Sequence, residues 1–433
     1  MEQTQLPPRP LSEMALDERI ADDFSAGPRP LVFPNDQSPR ILIIGGGVTG
    51  LTTAWKLLDQ GFRVTIVSRE WASYGDGPRL TSQIAGALWE LPPAGCGPQA
   101  VQGKLKTCQK WAMESFDVYR TISERKSLAQ AYGVQMRIFT SLHVNKIEDD
   151  ALKTAKMRVM NDTGMEGFSR GLHIFDKYGV NAHSHGGLHD AYEHFAPIVD
   201  TDVAMSFLMR LVSSKGATLV TDTTHGDLLP QEEHLRRIYG ADALVNATGV
   251  WGGYAAADNT VYPMRGATLR VVNDGSDFPK MENSMVVSSE TKTDGHFRDM
   301  AFIVPRNNNT LVLGSLVHRD QWALDLSPDS EAVQEMRRRC EDLLPVLKNA
   351  RLDPRYPLAQ GRRPMRESYV RVEVEDRKTQ RGQPSRIIHA YGHGGAGWSL
   401  AFGSAREVAR LVEQVLSHGT RDVSHGQQLM ARL

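Results

Sequence analysis

The chain has 433 residues, with 50 Lys and Arg against 51 Asp and Glu and a formal net charge of −1. That length exceeds what one hydrophobic core ordinarily supports, so two domains, consecutive or interleaved, are expected. The balanced charge, without a long basic run or a basic-aromatic alternation, excludes the electrostatic footprint of a nucleic-acid binder, and no apolar stretch reaches the roughly 18 residues of a membrane-spanning helix.

Residues 1–38 carry Pro7, Pro8, Pro10, Pro28, Pro30 and Pro34 among polar residues and lack the apolar segment of a secretory signal, so they read as an N-terminal arm. Cys96, Cys108 and Cys340 form no CxxC pair and no zinc-ligand spacing and read as free thiols. Arg40-Ile41-Leu42-Ile43-Ile44 is too short for a helix and rich in branched residues, which predicts a strand buried on both faces. Gly45, Gly47 and Gly50 follow at G-x-G-x-x-G spacing around Gly46, Val48 and Thr49, and then Leu51, Ala54, Trp55 and Leu58 recur at helical spacing until Gly61. Such a turn lets backbone approach a pyrophosphate closely, while the helix N-terminus offers unpaired N–H groups and a partial positive charge. A second strand over residues 62–67 ends at Ser68-Arg69-Glu70, where an acidic ribose ligand is usual. The Ser-Arg pair suits FAD and the 2′-phosphate of NADP equally, so this segment leaves both open.

Further along, His183, His185 and His189 invite a metal reading, but no acidic or cysteine partner has a recognisable spacing, and no metal site is expected. Ala243-Leu244-Val245-Asn246-Ala247-Thr248-Gly249 is an apolar strand ending in Thr-Gly. Ser327 and Pro328 mark the N-cap and first turn of a helix whose Arg337-Arg338-Arg339 run reads as a solvated face. Arg386-Ile387-Ile388-His389-Ala390-Tyr391 reads as a strand running into Gly392-His393-Gly394-Gly395-Ala396-Gly397-Trp398-Ser399-Leu400. Ala401, Ala405, Val408, Leu411, Val412 and Val415 then mark one face of a helix beginning near Ser399. This second strand-glycine-helix unit would aim another helix N-terminus at a bound cofactor, a feature that an NADP-dependent reductase leaves unexplained. Ala431-Arg432-Leu433 fits a loose form of the peroxisomal address, with chance the favoured reading of three degenerate positions, so the chain is expected to be cytoplasmic or, through that tripeptide, peroxisomal.

Taken in order from about residue 40 to about residue 416, these segments resemble the D-amino-acid oxidase family of FAD enzymes. The most specific are Asn246-Ala247-Thr248-Gly249-Val250-Trp251, similar to the family's N-C-T-G-V-W, and Tyr391-Gly392-His393-Gly394-Gly395, similar to its Y-G-H-G-G. The resemblance implies an α/β fold in which an FAD-binding Rossmann-type domain (39–130, 196–258 and 384–420) is interleaved with a substrate domain on a mixed or antiparallel sheet (131–195 and 259–383), followed by a tail (421–433). It implies non-covalent FAD, with its ADP half on Gly45, Gly47, Val48, Thr49, Gly50, Ser68 and Arg69 and its adenosine part near Thr224. Thr81, Ser82, Ala85, Gly86, Ala87 and Leu88, together with Thr248, Gly249 and the run Gly394, Gly395, Ala396, Gly397, Trp398 and Ser399, are implied around the rest of the cofactor.

Gly361-Arg362-Arg363-Pro364 resembles the family's substrate-arginine segment, which makes Arg363 the partner of the substrate carboxylate through two charge-assisted hydrogen bonds. Arg362 and Arg366 are then structural. Gly395 resembles the glycine whose carbonyl receives the substrate amine. Two family tyrosines of the substrate site fall at Arg298 and Phe302, so both hydroxyls are missing. Arg298 over the substrate implies an acidic or extended side chain, and Arg298 facing solvent is the equal alternative. The implied reaction is oxidation of the amine of an amino acid, a D-amino acid by resemblance, to an imine and keto acid by hydride transfer to flavin, with O2 reduced to H2O2. No protein acid or base is needed for it. An N-substituted substrate or another electron acceptor stays open, as does a flavin-binding carrier or sensor without turnover. The expected partners are a small amino acid and O2, with neither nucleic acid nor a membrane, and the sequence is silent on oligomeric state.

Overall fold

The computed structural model describes residues 19–75, 79–94, 104–287, 300–306 and 308–430. The arm before residue 19, Arg298 and the terminal Ala431-Arg432-Leu433 lie outside the described residues.

Short runs of branched and apolar residues pair, among the described residues, into a six-stranded sheet whose order is Arg371–Val374, Ile387–Tyr391, Ala243–Asn246, Arg40–Ile44, Arg63–Ser68 and Thr218–Thr221. All its pairings are parallel except that of Arg371–Val374 with Ile387–Tyr391. Arg40–Ile44 is central, and its last four residues are buried, as a strand covered on both faces requires. The helices Val48–Asp59, Thr201–Ser214 and Ala401–Met430 pack beside it, and the predicted apolar face of the last, from Ala401 to Val415, is buried.

A second sheet of nine strands, counted among the described residues, is antiparallel except where Ser284–Val287 runs parallel to Val134–His143. It is the mixed sheet the sequence led us to expect. Its strand Asp190–Val199 continues past residue 195, and Arg371–Val374 belongs to the first sheet although it precedes residue 384. We propose that the boundaries of the interleaved domains follow these strands, the second FAD-binding stretch starting after Val199 and the third before Arg371.

Two other expectations change. From residue 19 onward the proline-rich segment is part of the folded body, because Phe24 is fully buried with its ring 5.3 Å from that of Trp55 and 5.2 Å from that of Phe402. Asp59 accepts from the Ser25 and Leu31 amides, and Lys215 pairs with it. The helix expected after Ser327 instead spans Glu331–Leu343 with Ser330 as the preceding cap residue. Ser327 and Pro328 form the turn in front of it, the Ser327 amide donating to Ser330 Oγ and the Pro328 carbonyl accepting from Gln334. Arg337-Arg338-Arg339 is not one solvated face, since Arg337 reaches the Ala350 carbonyl and Arg339 the Ser315 carbonyl. Among the described residues no helix is long and apolar enough to cross a membrane, and no group of three or more His, Cys, Asp and Glu residues could hold a metal.

Burial pushes the imidazole of His143 down to about 3 and those of His194 and His393 down to about 4. These groups are neutral when folded and titrate near 6.5 when unfolded, so between those values the unfolded state binds more protons and stability rises with pH. We expect Tm to fall as pH is lowered from about 6.5 to about 5 with net proton uptake on unfolding. Calorimetry across that range checks it, and a Tm independent of pH would rule it out.

Candidate active site

The site begins where Arg40–Ile44 ends. Gly45 has φ +120°, and a Cβ there would overlap the Ala247 carbonyl, while a Cβ on Gly50 would overlap the Gly45 carbonyl. Only glycine fits either position. The turn so compacted delivers the chain into the helix Val48–Asp59, whose first four amides have no intrahelical acceptor. Ser82 Oγ accepts from the Val48 amide at 3.0 Å, and Ser68 Oγ accepts from the Gly46 amide at 3.1 Å. The Gly47, Thr49 and Gly50 amides are left at the positive end of the helix, whose first turn holds no acidic residue.

The second glycine unit meets the first at Ser82. Its carbonyl accepts from Trp398 Nε1 at 2.9 Å, and the Trp398 carbonyl in turn accepts from the Tyr119 hydroxyl. The Gly394 amide donates to the Pro364 carbonyl at 2.9 Å, which sets the glycine run beside Arg363. The closing helix starts at Ala401, slightly later than Ser399, and the turn before it lies at the cavity wall.

One cavity of about 1160 Å3 runs between the two sheets. Every candidate cofactor residue lines it except Gly50, which packs behind the turn against Gly45, and so do Arg363, Gly395 and Phe302. Thr224 reaches it from the loop after Thr218–Thr221. A cavity this size exceeds the usual range for a small ligand and suits a long one.

At the far end Arg363 lies on Leu358–Arg366, paired with Val261–Val272 so that Gly266 faces Gly361. A Cβ on Gly266 would overlap the Arg363 guanidinium, which donates to the Leu316 carbonyl at 2.9 Å and to Ser315 Oγ. Among the described residues no carboxylate pairs with it. Phe302 is buried, and a Cβ on Gly86 would come within 3.3 Å of its ring.

Sequence reasoning missed the groups that hold these in place. Arg306 donates to the Val199 and Ala85 carbonyls at 2.7 Å each, fixing the Ala85-Gly86 turn; burial lowers its pKa to about 10. Lys156 meets Glu90, a cavity-lining residue, at 2.7 Å. Burial opposes the lysine's charge, but Glu90 outweighs it and pushes the pKa up to about 12. Ser315, Arg306 and Lys156 carry no local motif, so only the fold could reveal them.

The family model for DAO, described as FAD dependent oxidoreductase, matches residues 40–411. The chain belongs to this family. As a DAO-family protein it is an oxidoreductase that uses FAD. It is 28% identical over 381 residues to a D-amino-acid oxidase of Rubrobacter xylanophilus, covering 87% of this chain and 97% of that one. A D-amino-acid oxidase of Streptomyces coelicolor is also 28% identical, covering 87% and 98%. Among solved structures, a glycine oxidase from Bacillus cereus superposes with a TM-score of 0.63 at 18% identity, covering 87% of this chain and 95% of that one, which shows a shared DAO fold. The residues present fit the family's cofactor: a turn with no room for a Cβ, free amides and no acid at the helix start, and a long cavity between two glycine units.

Proposed function

We propose that this DAO-family chain oxidises the amine of an amino acid, a D-amino acid in the first instance, to an imine that water hydrolyses to a keto acid. The observation that carries this reading is the Arg363 guanidinium, which opens onto the cofactor cavity with no carboxylate partner among the described residues. It is a receptor for a substrate carboxylate. The names of two relatives that match over most of the chain support the D-amino-acid reading.

FAD, when bound, supplies the hydride acceptor and passes the electrons to O2 with release of H2O2. Arg363 fixes the carboxylate, and the Gly395 carbonyl receives the amine, which together set the α-hydrogen toward the cavity. Phe302 supplies an apolar wall that keeps water from the reacting carbon. Ser315 Oγ and the Leu316 carbonyl hold the guanidinium in one orientation, so little ordering is left to occur when substrate binds. No side chain needs to act as a base, because the amine enters neutral and its α-hydrogen leaves with both electrons.

Peroxide release across a panel of D-, L- and N-methyl amino acids tests the reading. Turnover of D-amino acids is expected, and turnover confined to N-methyl or L-substrates would replace it. We further propose that Arg298 selects an acidic or extended side chain. Equal turnover of alanine and a dicarboxylic amino acid, unchanged in Arg298→Ala, would remove that part.

A further inference from the structure

Arg362 and Arg363 are consecutive on one strand, so their side chains leave on opposite faces. Arg363 turns toward Gly266. Arg362 turns the other way, where its Nε donates to the Trp322 carbonyl at 2.7 Å and its guanidinium lies 5.9 Å from the Trp322 ring. The Trp322 ring lies tilted against that of Trp251 with centroids 5.1 Å apart, and Trp251 lies 5.2 Å from the Arg69 guanidinium. The two sheets are therefore joined across the cavity by an arginine-tryptophan-tryptophan-arginine row, and all four residues but Trp322 line the cavity.

The charges in this row do not balance. Arg69 is paired with Glu70 at 3.0 Å, and Arg265, opposite Arg362 on the neighbouring strand, is paired with Asp325 at 2.7 Å. Arg362 is half-buried, and among the described residues no carboxylate lies within ion-pair distance of it. Its backbone is also tied to the glycine turn: Thr81 Oγ1 donates to the Arg362 carbonyl at 3.3 Å, and the next residue, Ser82, accepts from the Val48 amide. A cation with no ion-pair partner among the described residues thus lines the same cavity as the glycine turn and its helix start, and that combination calls for an anion.

We propose that Arg362 is a ligand for the diphosphate of bound FAD, contributed from the substrate-side sheet and held in place by Trp322. The two neighbouring arginines then divide the anions of the site between them, Arg363 taking the substrate carboxylate and Arg362 the cofactor. Desolvation and the nearby Arg69 both lower the Arg362 pKa, Glu70 opposes them, and a diphosphate would add negative charge on the side of Glu70.

The test is titration of the flavin-free protein with FAD, read by flavin fluorescence at several salt concentrations. Arg362→Gln is expected to raise the Kd for FAD roughly tenfold, with a shallower salt dependence, while Arg362→Lys restores most of both. KM for the amino acid in the FAD-saturated enzyme is expected to stay unchanged. An unchanged Kd would overturn the proposal. So would a raised Kd with the original salt dependence, which would mean lost packing, or a raised KM at unchanged Kd, which would place Arg362 on the substrate. Thermal unfolding of each flavin-free variant separates these results from a failure to fold, and Arg362→Met, which keeps the apolar stem without the charge, carries the test if Arg362→Gln does not fold.

Discussion

Replacing Arg363 with leucine is expected to lower kcat/KM for the amino acid by roughly 10²–10³-fold while the purified protein stays yellow. The loss combines two effects. The substrate carboxylate forfeits a charged, two-pronged partner, and Ser315 Oγ and the Leu316 carbonyl, which now orient that partner, are left facing an apolar side chain. Arg363→Lys restores the charge without the planar fork and should recover only a small part of the rate. Steady-state kinetics with FAD saturating reads the result. A variant that loses flavin along with activity would assign Arg363 to the cofactor, and one that keeps wild-type kcat/KM would remove it from the substrate site.

The second large effect is expected at the glycine turn. Gly45→Ala places a Cβ on the Ala247 carbonyl at a backbone φ of +120°, a conformation that disfavours any residue with a Cβ. Neither contact can relax alone, because the Ala247 amide is bonded to the Ile44 carbonyl and the Gly45 amide to the Val67 carbonyl. A destabilisation above about 4 kcal/mol follows, and the protein should purify without a visible flavin band or fail to accumulate. Gly47→Ala is the matched control, since its added Cβ would meet only the Ser82 hydroxyl at 3.2 Å. It should fold and bind FAD more weakly. Equal flavin content in wild-type protein and Gly45→Ala would contradict the account.

Much of the FAD-side architecture was legible because its signals are local. Arg40–Ile44 shows its burial in the four consecutive residues from Ile41 to Ile44, the turn shows its geometry in the glycine spacing, and the closing helix shows its apolar face from Ala401 to Val415. The substrate side was legible mainly through resemblance. Arg363 could be singled out by its setting before Pro364, whereas Ser315 and Leu316 act on it only because strand pairing lays Gly314 opposite Thr268, a contact that no local pattern encodes. Phe24 looked like part of a polar, proline-rich arm because the rings that bury it, Trp55 and Phe402, are distant in the chain. Arg362 was read as structural beside its neighbour, and the alternation that sends it to the other face gains meaning only once Trp322 and Arg69 have positions.

The order of strands in the six-stranded sheet bears on when the enzyme becomes able to hold its cofactor. The central Arg40–Ile44 is made well before its neighbour Ala243–Asn246, which follows some 200 residues later, and that strand's other neighbour, Ile387–Tyr391, is made later still. Each addition closes a long loop before any pairing repays it. A nascent chain still short of residue 398 lacks the tryptophan that anchors Ser82, so the first glycine turn depends for its support on a residue 316 positions further along, and the flavin pocket forms only once both glycine units are present.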